Sequence, residues 1–279
     1  MQKLSQNPTQ IKLGKILENV GDMSLKRRAK DIIEALDLKN RDRILDLGCG
    51  TGYYLFLLSS LPLKLNLVGL DNDKNALKEA KQNLNKNIKF VLNNSEKLPF
   101  KDKSFDKVVA SEVLEHIYDD QAAIKEVFRI LKKGGKFVIS TPSINYPFFW
   151  DPINWILQRL FTTHIKAGFF SGIWFGHVRL YEKQDLEKKF TKAGFKIQTS
   201  KELTWWCLPF NHYIINVIAR LLYDVKISSK IADNLSKFKD TNKPFLINSA
   251  FRFVNMIDTL NNKLPQRHGV NVFISAIKP

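Results

Sequence analysis

The chain has 279 residues, 44% of them hydrophobic, with 44 Lys and Arg against 27 Asp and Glu for a formal net charge of +17. That length suits one large α/β domain or a core carrying substantial insertions, and the apolar content is ample for a packed interior. The charge favours anionic partners such as nucleic acid, acidic lipid headgroups or phosphorylated substrates, and fits equally a lysine-rich solvated surface, while the two cysteines, Cys49 and Cys207, exclude a disulfide framework or a cysteine metal site and point to a reducing, cytoplasmic setting.

The chain is expected to open on a helical segment, residues 1–40, which lacks the apolar stretch of a secretory signal. Within it Leu25, Ala29, Ile32, Ile33 and Leu36 recur at helical spacing over 24–38, with Lys26, Arg27, Arg28 and Lys30 on the remaining surface. Residues 41–143 then alternate strands, near 43–47, 66–70, 88–92, 105–110 and 135–140, with helices near 53–60, 74–85 and 121–132. Strict alternation with short turns predicts a parallel, doubly wound sheet.

The first of these units is the most informative. Ile44-Leu45-Asp46-Leu47-Gly48-Cys49-Gly50-Thr51-Gly52 runs an apolar strand into a glycine turn, and a second strand ends at Asp71. Gly48, Gly50 and Gly52 would let backbone N–H groups and a helix N-terminus approach a ligand, and Asp71 would accept hydrogen bonds from ribose hydroxyls. A dinucleotide fingerprint is G-x-G-x-x-G; the spacing here is G-x-G-x-G, preceded by Asp46. A carboxylate there would repel a pyrophosphate but would suit the cationic amino and sulfonium groups of S-adenosylmethionine.

These residues resemble the first motif of the class I S-adenosylmethionine-dependent methyltransferases. The similarity continues through Asn94-Ser95-Glu96-Lys97-Leu98-Pro99-Phe100, through Ser104–Val109 with Ser111-Glu112-Val113-Leu114-Glu115-His116, and through Leu131–Ile139. The pattern is most similar to small-molecule enzymes such as those of quinone biosynthesis. The resemblance implies a Rossmann-like, seven-stranded α/β sheet whose last strand, near 270–277, lies antiparallel beside the fifth. It also implies a cofactor set of Asp46, Gly48, Cys49, Gly50, Asp71, Asn72, Asn94, Ser95 and Ser111. Asn94 stands where that family usually has an aspartate at the adenine, and an amide oxygen can still accept there.

After Pro142 the rhythm breaks. Residues 144–181 form an aromatic insertion, with Tyr146, Phe148, Phe149, Trp150, Trp155, Phe161, Phe169, Phe170, Trp174 and Phe175, expected to act as an acceptor lid. Residues 182–203 return to a helix and a strand. A second insertion, 204–268, carries two helical patterns, Phe210 to Leu222 and Phe245 to Leu260, before the last strand in 269–279. Leu203–Ala219 has no formal charge but is interrupted by Pro209, Asn211, His212 and Asn216 and falls short of a membrane span. The insertions would cap the core or form a dimer interface, or lie against an anionic membrane surface.

Methyl transfer asks the protein chiefly to hold the acceptor in line, with a base only where the acceptor must lose a proton. Catalytic groups are expected at the carboxyl ends of the strands. His116 is the candidate general base, and His177, in Gly176-His177-Val178-Arg179-Leu180-Tyr181, would border the acceptor with Arg179 and Tyr181; Arg179 could pair with an acceptor carboxylate or phosphate. Glu112, Glu115 and His116 also match the metal spacing of small-RNA 2′-O-methyltransferases, for which His177 or His164 would complete the ligands. An Asn/Asp-Pro-Pro-aromatic motif after the fourth strand and a nucleophilic thiol by the fourth or fifth strand are both missing, which disfavours nucleobase methylation. The leading expectation is a methyltransferase acting on a small-molecule or lipid-linked acceptor, at oxygen. The alternatives are a metal-assisted RNA ribose methyltransferase and a non-catalytic cofactor-binding or membrane-docking scaffold.

Overall fold

The computed structural model describes residues 7–18, 20–84, 87–206, 255–263 and 268–279, with Ser249 and Phe253. Its elements are α1 (Pro8–Leu17), α2 (Met23–Ala35), β1 (Arg43–Leu47), α3 (Tyr53–Ser59), β2 (Asn66–Asp71), α4 (Lys74–Asn83), β3 (Lys89–Leu92) and β4 (Phe105–Ser111). A 3-10 turn follows at Leu114–His116, then α5 (Asp120–Ile130), β5 (Leu131–Pro142), α6 (Pro152–Phe161) and a second 3-10 stretch at Phe169–Trp174. The chain continues through α7 (Lys183–Lys192), β6 (Lys196–Leu203), α8 (Leu260–Lys263) and β7 (Asn271–Ile277).

The strands form one seven-stranded sheet in the order β3-β2-β1-β4-β5-β7-β6. β3, β2, β1, β4 and β5 are mutually parallel, and β7 lies antiparallel between β5 and β6. The strand order reverses between β1 and β4, which opens a crevice at their carboxyl ends. The alternation of side chains along a strand explains the two cores. Leu45, Val108, Phe137 and Ile139 pack with Ile124 and Val127 of α5 and Phe190 of α7 on one face. Their chain neighbours Ile44, Val109 and Val138 pack with Ile32 of α2 and with Leu55 and Leu58 of α3 on the other.

A third cluster packs Tyr146, Trp150, Ile173, Trp174 and Leu180 of the aromatic insertion against Met23 of α2 and Val270 before β7. That insertion is more regular than its sequence predicts. Asp151 caps α6 by accepting from Asn154 N at 3.1 Å, with Pro152 in the first turn. Asn154 then ties the insertion together: its Nδ2 donates to Asp151 Oδ2 (2.8 Å), Phe170 O (3.0 Å) and Ser171 O (3.1 Å), and its Oδ1 accepts from Ile165 N (2.8 Å). Gly172 has φ +52°, and any Cβ there would run into the Asp151 carboxylate.

Of the basic face expected of α2, Lys30 is exposed, but Lys26, Arg27 and Arg28 are tied into the fold. Arg27 Nε donates to Asp258 Oδ1 at 2.5 Å, Lys26 reaches Asn255, and Arg28 turns inward to Glu112, Nη1 to Oε2, at 3.4 Å. The cause is tertiary: residues 255–263 pack along α2, and the end of β4 presents a carboxylate to it. The helical pattern over 210–222, the part of the second pattern before residue 255 other than Phe253, and Cys207 lie outside the described residues. Residues 255–258 are helical, as expected.

Candidate functional site

At the end of β1 the turn is held from below and open above. Gly48 N and Cys49 N donate to Leu70 O, and Gly50 N donates to Asp71 Oδ2 at 2.7 Å. Asp73 N takes the other oxygen of Asp71 at 2.9 Å. Each carboxylate oxygen has a lone pair left over. A Cβ on Gly50 would meet nothing within 4 Å, whereas one on Gly48 would strike Val113 and one on Gly52 would strike Leu84 at 2.5 Å. Of the three glycines expected to admit a ligand, Gly50 borders open space and the other two make room for packing. Cys49 is buried against Gly69; burial, Asp46 and Asp71 all push its thiol up, so it serves as a small loop residue.

Asp46 is 1% exposed, and its Oδ2 has no hydrogen-bond partner. Burial and then the charge of Asp71 push its carboxyl well above the usual range, against a hydrogen bond from the Leu55 amide at the start of α3. A buried carboxyl with an unmet oxygen beside a second carboxylate suits a cationic ligand, whose charge would offset the burial and repulsion that push it up.

A polar chain runs from this turn along the carboxyl ends of β4 and β5 and the amino end of antiparallel β7. Tyr54 OH donates to Ser111 Oγ (3.0 Å), which lies 2.9 Å from Ser140 Oγ. Ser140 Oγ donates to Glu112 Oε1 at 3.3 Å, Asn271 Nδ2 donates to the same oxygen at 3.1 Å, and Ser24 Oγ donates to Asn271 Oδ1 at 2.6 Å. Burial pushes the Tyr54 phenol up to about 12, against the pull of Arg28. Burial also works against the Arg28 charge, but Glu112 and Tyr54 outweigh it, so the guanidinium stays charged, with its Nε unpartnered. Arg28, Tyr54 and Ser140 escaped sequence reasoning, because nothing in the α2 periodicity reveals a carboxylate waiting on β4.

Beyond Ser111, two histidines from distant segments converge. The rings of His116 and His177 lie edge to face, 4.7 Å between centroids. His116 Nδ1 is 2.8 Å from Gly176 O; a carbonyl only accepts, so the ring proton sits on Nδ1 and the lone pair on Nε2. Glu115 lies beneath them, 0% exposed, with Oε2 accepting from Thr141 Oγ1 at 2.9 Å and Oε1 3.9 Å from His177 Nε2. Burial, and then Glu112, push Glu115 well above its usual range.

Other expectations are corrected. Glu112 is committed to Arg28 and Asn271 and stands outside the cluster of ligand-capable groups, which is Glu115, His116 and His177 among the described residues. His164 does not join them; it stacks on Trp174 at 3.6 Å. Arg179 is not open to an acceptor anion, since its Nη1 meets Asp120 Oδ2 at 2.8 Å and its Nη2 donates to Tyr118 O. Tyr181 is buried and donates to Asp120 Oδ2 at 2.6 Å. Asn72 and Asn94 are exposed and Ser95 half-buried, after β2 and β3 on the same edge of the sheet as Asp71.

A groove of about 780 Å³ is lined by Trp205 and His268 of the second insertion together with Tyr146, Phe148, Trp155 and Arg159 of the aromatic insertion. Arg159 lies 4.1 Å over the Trp155 ring. Leu160 (71% exposed), Phe161 (64%) and Phe175 (67%) stand out into solvent on the same insertion.

A family model described as a methyltransferase domain matches residues 38–206. The chain is 33% identical over 181 residues to demethylmenaquinone methyltransferase of Lactococcus lactis, covering 60% of this chain and 71% of that protein. It is 33% identical over 168 residues to 2-methyl-6-phytyl-1,4-hydroquinone methyltransferase of Arabidopsis thaliana, covering 60% of this chain and 44% of that protein. Its fold is similar to that of Haemonchus contortus phosphoethanolamine N-methyltransferase 2 in complex with S-adenosyl-L-methionine. The TM-score is 0.55 at 19% identity, over 91% of this chain and 52% of that one.

Proposed function

The chain belongs to the methyltransferase domain family and is an S-adenosyl-L-methionine-dependent methyltransferase, and from that premise we propose that it methylates a small-molecule or lipid-linked acceptor at a hydroxyl oxygen. The observation that carries this reading is the delivery of His177, by the aromatic insertion, onto His116 at the sheet edge. One segment thus supplies much of the lining of the apolar groove and one of the two histidines.

The residues at the β1 turn fit the cofactor. The unpartnered, buried oxygen of Asp46 suits a cationic group, the spare lone pairs of Asp71 suit a ribose diol, and Gly50 leaves the cradle free of side chains. Cys49 and Gly48 would contribute backbone, Asn72, Asn94 and Ser95 would border the base, and Ser111 the amino-acid end. Arg28, with a donor unmet inside the protein, is the candidate partner for a carboxylate. The bound cofactor supplies an electrophilic methyl on a good leaving group. The protein's part is to hold the acceptor oxygen in line, exclude water and draw off its proton. His116 presents the Nε2 lone pair for that task, with its ring fixed through Nδ1 by Gly176.

Residues 144–181 act as the acceptor lid. Their aromatic groove supports an apolar acceptor body, and the exposed Leu160, Phe161 and Phe175, on the segment that also carries Arg159 and Lys166, support contact with an anionic membrane surface from which such an acceptor would be drawn. No helix among the described residues is long and apolar enough to cross a membrane. The quinol-type names of the relatives make a hydroquinone with an isoprenoid tail the first acceptor to test. Incubation with methyl-labelled cofactor and such acceptors, followed by mass and NMR analysis of the product, should give a methyl ether. A methyl on a ring carbon would overturn the oxygen assignment, and transfer only to RNA would overturn the acceptor class.

A further inference from the structure

We propose that Glu115, His116 and His177 form a binding site for one divalent transition-metal ion, of the zinc, manganese or cobalt class, at the acceptor end of the cleft. One ligand-capable atom from each of the three lies within 4.8 Å of those of the other two. Two imidazoles and a carboxylate are the donor set that such ions favour, and three protein ligands leave a coordination position open.

Two independent observations separate this cluster from a chance grouping of polar side chains. First, Glu115 is fully buried, yet its Oε1 has no hydrogen-bond partner. That oxygen is directed at His177 Nε2, and 3.9 Å is too long for a hydrogen bond between them. A buried carboxyl oxygen with nothing to accept from is costly, and a bound cation would complete it. Second, the surroundings are those of oriented ligands. Gly176 O takes the Nδ1 proton of His116 and leaves Nε2 as donor atom, and Thr141 Oγ1 holds the far oxygen of Glu115 so that Oε1 faces the histidines. Partners of this kind fix tautomer and orientation around bound metals. Glu112 is not a ligand, because Arg28, Ser140 and Asn271 occupy it.

The inference deepens the proposed function. An ion held here would leave its open position to an acceptor hydroxyl and lower that hydroxyl's pKa, taking over the work assigned above to a free imidazole. Its role in transfer rests on the acceptor reading; its binding does not.

The test therefore begins with binding alone. Chelator-treated full-length protein is titrated with Co²⁺, followed by calorimetry and by the visible absorption of the bound ion, with neither cofactor nor acceptor present. The expected result is one site per chain with nitrogen and oxygen ligation, weakened at least 10-fold in Glu115→Gln and in His177→Ala and unchanged in His164→Ala. Should Glu115→Gln fail to fold, His177→Ala, on a half-buried side chain, carries the test. No saturable binding by the wild type at 100-fold excess of metal, or equal binding by wild type and both variants, would overturn the proposal. Methyl transfer by a metal-free preparation that fails to bind Co²⁺ would reject the ion and leave the acceptor reading standing.

Discussion

The amide of Gly50 donates to Asp71 Oδ2 across 2.7 Å, tying the turn after β1 to the end of β2. The bond sets the floor of the cofactor cradle and fixes where the spare lone pairs of Asp71 point. It also separates two glycines that look equivalent in sequence.

Gly50 and Gly48 both have positive φ, so an alanine at either position is strained by about 1 kcal/mol. Beyond that, the methyl group added by Gly50→Ala would project into open space, and the one added by Gly48→Ala would project into Val113. Gly50→Ala should lose about 1 kcal/mol of stability but at least 10-fold in cofactor affinity. Gly48→Ala should lose about 3 kcal/mol through overpacking. Urea unfolding and calorimetry on the two variants check this, and equal behaviour would remove the distinction.

His116→Ala and His177→Ala should each bind S-adenosyl-L-methionine within about twofold of wild type while turnover falls about 100-fold or more, the scale of a lost proton-transfer group. Stopped assays with labelled cofactor measure both quantities. Full activity in either variant would take that histidine out of the site.

Asn154→Ala removes four hydrogen bonds that hold the aromatic insertion together. Leaving buried partners unmet should cost about 2 kcal/mol. Because the insertion supplies much of the lining of the groove, acceptor KM should rise at least fivefold with cofactor affinity unchanged. A parallel loss of both would mean that the insertion also holds the cofactor.

Asp120 supplies the pH dependence. Burial works against its ionisation, but hydrogen bonds from Lys189 and Tyr181 outweigh it and hold the carboxyl below the usual range. A depressed folded pKa means that the unfolded chain takes up the proton more readily. The stability is thus full above the ordinary carboxylate pKa of about 3.9 and drains as pH falls toward the folded value. Asp120→Asn should cost about 2 kcal/mol at pH 7, since Lys189 and Arg179 stay partly solvated, and clearly less at pH 3.5. A gap that does not change with pH in urea melts would contradict this.

The sheet was legible because its residues obey local rules. Ile44/Leu45 and Val108/Val109 alternate between two cores, and the turn glycines and Asp71 sit where a nucleoside cradle requires them. α1 and α6 were legible in principle through Asn7-Pro8 and Asp151-Pro152, each a capping residue followed by proline. In α6 the Ile, Leu and Phe side chains share one face, but that face, with Ile156, Leu160 and Phe161, is exposed rather than packed on the core. What sequence could not show is pairing across the fold. Arg28 reads as a surface cation until Glu112 is set beside it. Arg179 reads as an anion receptor until Asp120 fills that place, and His177 joins His116 only once the insertion folds back.

The most direct test of the central claim is calorimetric titration of S-adenosyl-L-methionine into wild type, Asp71→Ala and Asp46→Ala. A cofactor held by the β1 turn and the end of β2 predicts saturable 1:1 binding by the wild type, at least 10-fold weaker in both variants, with circular dichroism unchanged. Wild-type affinity in both folded variants would contradict the cofactor site as assigned.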